Sequence, residues 1–276
     1  MKNLVVALIL IIFSSTSSFA QKKSAFSYDY EIIYDYTFKP NKNDTTKISE
    51  QTVLFCNDKD FYFTSVKKYQ TGHEIANGGG PQLVTQAFSG NYKESAVTHY
   101  VFTKDNIFTT LERTNARSFS YEGKPDLKWE ILPDIMEIKG YACQKAKLYY
   151  GGRKWDAWFT VDIPLTMGPY KFGGLPGLVI KITDDQNQFG WELKNFNKVK
   201  TSISWVYFYN TRNHEKVTKR EYFDYRLKRV EDPYTYDRVL NPSISKITSP
   251  NLEAVHKAYN KKVKSKLFED NWIEIE

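Results

Sequence analysis

The residues from Gly168 to Gly177, Gly-Pro-Tyr-Lys-Phe-Gly-Gly-Leu-Pro-Gly, hold four glycines and two prolines and run into Leu178-Val179-Ile180-Lys181-Ile182. Three kinds of chemistry use glycine at such density. A phosphate-cradling P-loop needs G-x-x-x-x-G-K-[ST] at the start of a helix. Gly168 and Gly173 have that spacing, but Gly174-Leu175 stands where the lysine and the hydroxyl belong. A dinucleotide loop must also open a helix, and the β-branched run that follows here is strand chemistry. A nucleophile elbow requires a serine between glycines, and none is present. The stretch reads instead as a set of turns. Leu175-Pro176-Gly177-Leu178 predicts a type II turn, with Pro presetting φ at the second position and Gly supplying a positive φ at the third. Gly168-Pro169 and Gly173-Gly174 give two further changes of direction, and Tyr170 and Phe172 between them plug the end of a sheet.

Other chemistry-bearing residues are scattered. His73, His99, His214 and His256 sit in unrelated contexts without metal-ligand spacing, so the sequence implies neither a metal nor a cofactor. Asp184-Asp185 precedes Gln186-Asn187-Gln188 and reads as a turn; calcium would want more alternating oxygens. No motif pairs carboxylates for acid–base work, and no catalytic residue is assigned. Arg153 is the charge most suited to a ligand. It shares a face with Trp155 at the mouth of a hairpin, where it could meet an acidic headgroup or a nearby carbonyl.

The elements that carry these residues are mostly strands. From Phe26 to Phe38 every even position is apolar, and the odd positions are polar except Ile33. That period of two predicts one buried and one wet face. Residues 48–56 and 60–66 predict a hairpin about Asn57-Asp58-Lys59. His73 to Gln82 reads as a flexible loop. Further strands are expected at 97–103, 107–113, 127–131, 178–183, 190–198 and 202–209. Thr218-Lys219-Arg220-Glu221 is a capping box that starts a helix ending near Asp232-Pro233. Ser249-Pro250 starts a second one, with Leu252, Val255, Tyr259, Val263 and Leu267 at helical spacing and a basic remainder.

The hairpin of 143–150 and 153–160 has a definite register. Gly151-Gly152 suits a two-residue turn with positive φ, which sets Leu148 against Trp155, Ala146 against Ala157, Lys147 against Asp156 and Lys145 against Trp158. Trp158 then lies on the polar face beside Tyr149, as a contact site or beneath a second layer.

The N-terminus is a leader. Lys2 precedes an apolar run from Leu4 to Phe13, and Ser18-Phe19-Ala20 is a small-x-small cleavage signal. The run is too short to span a bilayer, and no later stretch is apolar enough to do so. The expectation is a signal peptide over 1–20, a single β-rich domain over 21–276, and a periplasmic or extracellular location. A formal net charge of +7 on an exported chain argues for ordinary solubility rather than nucleic-acid binding. An oxidising compartment permits a disulfide between Cys56 and Cys143; two free thiols remain the alternative.

Residues Ile138 to Ala146, Gly152 to Thr160, Ile163-Pro164 and Gly168 to Val179 together resemble the core of the GLPGLI family of exported bacterial proteins, with Val179 in place of the final isoleucine of the name. The resemblance covers about residues 135–185. It implies a compartment and a fold but no activity. Such proteins are similar in outline to LolA-like periplasmic carriers. The expected fold is therefore mostly β (α+β), with one curved antiparallel sheet or partly open barrel and two helices near the C-terminus. Aromatic residues make up 16% of the chain, more than one core needs. The leading functional expectation is a non-catalytic envelope protein that binds a lipid or other apolar or amphipathic ligand through Trp158, Arg153, Tyr149, Tyr170 and Phe172. An envelope protein partner on the wet face of the 143–160 hairpin is the alternative, and a hydrolase the third reading.

Overall fold

The computed structural model describes residues 25–41, 45–79, 81–82, 95–104, 107–113, 117–204, 214–238, 252–266 and 272–275. Residues 1–20, expected to be a leader, lie outside them. The described strands are β1 (Ala25–Phe38), β2 (Ile48–Cys56), β3 (Phe61–Ser65), β4 (His99–Lys104), β5 (Ile107–Arg113), β6 (Ser118–Glu122), β7 (Glu130–Ile138), β8 (Tyr141–Tyr150), β9 (Arg153–Thr160), β10 (Leu178–Asp184), β11 (Phe189–Ser204) and β12 (Glu215–Lys216). They form one open sheet in the order β12-β6-β5-β4-β3-β2-β1-β11-β10-β9-β8-β7. Pairing is antiparallel throughout, apart from the parallel contact of β12 with β6. The fold is mostly β, a large curved sheet with a few helices. The helices are α1 (Val66–Glu74), α2 (Lys219–Glu231), α3 (Pro233–Arg238) and α4 (Leu252–Lys266). No helix among the described residues is long and apolar enough to cross a membrane.

The long strands β1 and β11 form the spine, paired from Ala25 with Ser204 to Phe38 with Phe189. The even residues Ile32, Tyr34, Tyr36 and Phe38 enter the main core with Leu54, Phe63, Trp155 and Trp191. Tyr28 joins a second cluster instead, with Val53, Phe55, Tyr62, Phe102 and Leu111. The changeover coincides with a register shift between Tyr28 and Tyr30, where β11 carries an extra residue. Such a bulge re-aims side chains and sharpens the local twist. It also explains why residues 190–198 and 202–209 read as two strands: the period breaks at the bulge while β11 continues to Ser204. Residues 205–209 lie outside the described residues. Ile33, the one apolar residue on the odd face of β1, packs against the second cluster.

The 48–56 hairpin forms as expected, with Cys56 opposite Phe61. The Asn57 side chain accepts from the amides of Lys59 and Asp60 at 2.8 and 2.7 Å. The expected loop at 73–82 is helical instead through Gly79. Helix α1 is capped by Ser65, whose hydroxyl accepts from Lys68 N, and passes into a π-helical turn at Ile75–Gly79. Val66 and Tyr69 of this helix lie on the second cluster. The capping box at Thr218 is formed on both sides. Among the described residues, three helices, α2, α3 and α4, lie towards the C-terminus. Strand β6 was not expected, and β7 runs to Ile138 rather than 131. Its Pro133 sits in an irregularity between Ile131 and Ile135, on an edge of the sheet, where a missing N–H donor is tolerated.

Hairpin β8–β9 has the expected register, from Gln144 opposite Phe159 to Tyr150 opposite Arg153. Gly151 and Gly152 have φ +61° and +77°. The ion pair to Asp156 comes diagonally from Lys145, at 2.9 Å, and not from Lys147. Lys145 Nζ also stands 5.8 Å from the Trp158 ring centroid. Cys56 on β2 and Cys143 on β8 are both buried and free. The disulfide that an oxidising compartment would permit is not formed, and four strands separate β2 from β8 in the sheet.

Candidate functional site

The glycine-rich segment leads into strand β10, which pairs with β9 and β11. No helix opens after the glycines. Backbone bonds hold the loop: Phe172 N donates to Pro169 O at 3.0 Å, Gly174 N to Thr166 O at 2.8 Å and Val179 N to Met167 O at 3.1 Å. Trp129 Nε1 donates to Gly173 O at 2.9 Å, and the Tyr34 hydroxyl to Val179 O at 2.8 Å. Gly174 has φ +91°, and the left-handed position before it is Tyr170, at φ +57°. Gly177 is not left-handed, so the expected type II turn is absent. Glycine is required there by close approach, since a Cβ would stand 2.0 Å from Thr160 O. At Gly168 a Cβ would stand 1.9 Å from Phe172 O.

The loop delivers Tyr170 and Lys171 inward, onto a carboxylate from the C-terminal segment. Lys171 Nζ is 2.6 Å from Glu274 Oε1 and 3.3 Å from the Tyr121 hydroxyl. The Tyr170 hydroxyl donates to the same carboxylate oxygen. From helix α2, Lys219 Nζ reaches Glu274 Oε2 at 2.8 Å, and Arg226 Nη2 donates to the Glu274 carbonyl at 2.9 Å. Lys171 and Glu274 are 5% and 2% exposed. Burial alone would push the Glu274 carboxyl up; Lys171 and Lys219 outweigh it and hold it at about 2. Breaking such a buried pair by removing one partner is far more costly than the pair is stabilising.

Two titratable residues of the neighbouring strands complete this centre. His99 on β4 stacks on Phe63 and meets the Tyr170 ring edge-on at 4.9 Å between centroids. Burial, with Lys68 and Lys171 adding to it, lowers His99 to about 3, so the ring is neutral at neutral pH. Its Nε2 has no hydrogen-bond partner among the described residues. Glu112 on β5 faces His99 across the ladder. Burial pushes its carboxyl up against the pull of Arg226 and Lys171. The field around Glu274 is therefore dominated by cations.

Arg153 lies on the core face of β9, as the register requires. Its Nη1 is 2.9 Å from Asp184 Oδ2, and its Nε donates to Trp272 O at 2.9 Å. Burial lowers its pKa, with Asp184 opposing. Asp184 Oδ1 accepts from the amides of Gln188 and Phe189 at 2.6 and 2.8 Å. That carboxylate anchors a turn. Among the described residues no group of His, Cys, Asp and Glu is arranged to hold a metal ion.

The arrangement can bind and neutralise a carboxylate beside apolar groups. Of the residues expected to touch a ligand, Arg153, Tyr170 and Phe172 are buried, Trp158 is half-buried against the core and Tyr149 is 62% exposed. His99 was named only as a histidine without metal-ligand spacing, and Lys219 only as part of the capping box; Lys171, Arg226, Glu112 and Glu274 were not singled out from the sequence. Lys171 could have been, as the lone charge in a loop otherwise glycine, proline and apolar. Glu274 could have been, as the charge inside Trp272-Ile273-Glu274-Ile275.

A family described as "Protein of unknown function (Porph_ging)" matches residues 152–181, the β9 strand and the glycine-rich loop. A search among curated protein sequences finds no match. Among solved structures, two of PNGF-II, in the C2 and P21 space groups, are similar with a TM-score of 0.48 and 16% identity. The match covers 71% of this chain, which spans about a third (32%) of theirs. A LolA superfamily protein from Nitrosomonas europaea is similar with a TM-score of 0.29 and 6% identity, over 69% of this chain and 93% of that one. The architecture itself rests on the strand order described above.

Proposed function

We propose that this is an exported, non-catalytic binding protein of the bacterial envelope whose ligand is amphipathic, an aliphatic chain bearing a carboxylate. The observation that carries this reading is the centre at Lys171, where one carboxylate is met by two lysines and a tyrosine within an aromatic core. A buried charge persists only where paired, and the pairing groups here come from two separate elements, the glycine-rich loop and α2. Three sequence features support the setting: the leader over 1–20, the continuous β-rich region over 21–276, and the GLPGLI-like motif around the loop. Apolar surroundings favour the chain of such a ligand, and Lys171 favours its head. The test is mass spectrometry of protein purified from its envelope fraction without detergent. A co-purified acyl carboxylate is the expected result, and ligand-free protein in every preparation would count against the reading.

A further inference from the structure

The carboxylate in the Lys171 centre belongs to the chain's own C-terminal segment. Residues 272–275 join no strand of the sheet. Ile273 is buried in the main core, while Ile275 is largely exposed. The segment is held at three main-chain points. Arg153 Nε donates to Trp272 O at 2.9 Å, Arg226 Nη2 donates to Glu274 O at 2.9 Å, and Ile275 N donates to Gly151 O at 2.8 Å. The Arg226 guanidinium lies 4.0 Å from the centroid of the Trp272 ring. Most of these contacts are side chains of the folded body reaching for the main chain of a short segment outside the sheet.

The receptor side is shaped for this occupant. At Gly151 a Cβ would stand 2.8 Å from Glu274 Cγ and 3.0 Å from its Cα. The turn glycine therefore serves twice, once for its positive φ and once for the room it leaves. Three cations, Lys171, Lys219 and Arg226, converge on a single glutamate. An aliphatic side chain, Ile273, sits next to the carboxylate in the core.

We propose that residues 272–275 are a resident, exchangeable occupant of the ligand site, so that the protein rests closed and opens when an aliphatic carboxylate displaces its tail. This rests on the functional reading above for the chemistry of the ligand. The tail and the ligand compete for the same cations. The apparent affinity for ligand is thus the intrinsic affinity multiplied by the fraction of molecules in which the tail is out.

Hydrogen exchange on the unaltered full-length chain tests it. The Ile275 amide, bonded to Gly151 O, should exchange about tenfold faster in saturating dodecanoate, or in excess of the synthetic peptide Asn-Trp-Ile-Glu-Ile-Glu, while amides of the β1–β11 ladder keep their protection. Glu274→Ala in the full chain should bind both probes about tenfold more tightly than the unaltered chain by calorimetry. Adding Lys171→Met to that variant should abolish the gain. Acceleration by the peptide alone would uphold the exchangeable tail and sink the amphipathic-ligand reading. No acceleration by either probe would overturn the inference, and the unaltered chain decides this even where Glu274→Ala does not fold.

Discussion

Replacing Lys171 with methionine removes the charge and keeps much of the length of the side chain. What remains is Glu274, 2% exposed and facing the Tyr170 hydroxyl, with the half-exposed Lys219 on its other oxygen and Arg226 on its main-chain carbonyl. Two routes give the cost. The folded Glu274 carboxyl sits at about 2 against an ordinary 4.5, held there by Lys171 and Lys219 together against burial, which corresponds to on the order of 3 kcal/mol at neutral pH and is an upper bound on the Lys171 share. Removing one partner of a buried ion pair generally costs about 3–5 kcal/mol. Together they predict about 3 kcal/mol lost for Lys171→Met at pH 7. The paired change Lys171→Met with Glu274→Leu removes both charges and should recover at least half of that, because no uncompensated charge is left. The assay is urea unfolding followed by tryptophan fluorescence, with the two single variants and the pair forming a double-mutant cycle. The sign of the pH dependence is fixed as well. The Glu274 contribution is complete above about 4.5 and is lost as pH falls towards 2, so the Lys171→Met penalty should shrink through that window. A single-variant cost below about 1 kcal/mol, or strict additivity in the cycle, would refute the claim that these two groups are buried against each other.

His99 and the glycines give two more. His99 is lowered to about 3 by burial, so below its ordinary 6.5 the unfolded chain binds a proton that the folded chain does not. Stability should fall by about 2 kcal/mol between pH 6.5 and 5, and His99→Phe, stacked on Phe63 in the same way, should flatten the dependence of the urea midpoint on pH; an unchanged slope would refute a neutral buried ring. Gly177→Ala puts a Cβ 2.0 Å from a main-chain oxygen and should cost about 3 kcal/mol or more, whereas Gly140→Ala meets nothing within 4 Å and pays only for φ +81°, about 1 kcal/mol. Equal melting temperatures for the two variants would show that close approach at Gly177 is not what demands glycine.

What could be read from the sequence was whatever depends on neighbours along the chain. The β8–β9 register follows from two glycines with positive φ and from alternation on either side, and every pair from Gln144–Phe159 to Tyr150–Arg153 agrees. The Thr218 cap is a four-residue motif and forms as written. Helix α1 escaped because Ser65 is followed three residues later by Lys68 rather than by a glutamate, leaving half a capping signal. At Gly177 the pattern Pro-Gly pointed to a turn, and the cause was instead a carbonyl on β9, invisible from local sequence. The Lys171 centre was least legible. It joins residues from β4, β5, the loop, α2 and the C-terminal segment, more than a hundred positions apart in the case of Lys171 and Glu274. No spacing rule reaches that far. Only two local oddities marked it, a lysine between Tyr170 and Phe172 and a glutamate inside Trp272-Ile273-Glu274-Ile275.

The rims of the sheet have a consequence for crowding. Among the described strands the sheet has two borders. One ends in β12, a strand of two residues. The other is β7, interrupted by Pro133 and studded with Glu130, Asp134 and Glu137. A second copy approaching that border meets like charge and a broken row of donors, the usual defences against fibre growth. Pro133 and these acids thus stand beside the exposed Ile131, Ile135 and Met136 of the same border, apolar groups that would otherwise favour the addition of a further strand.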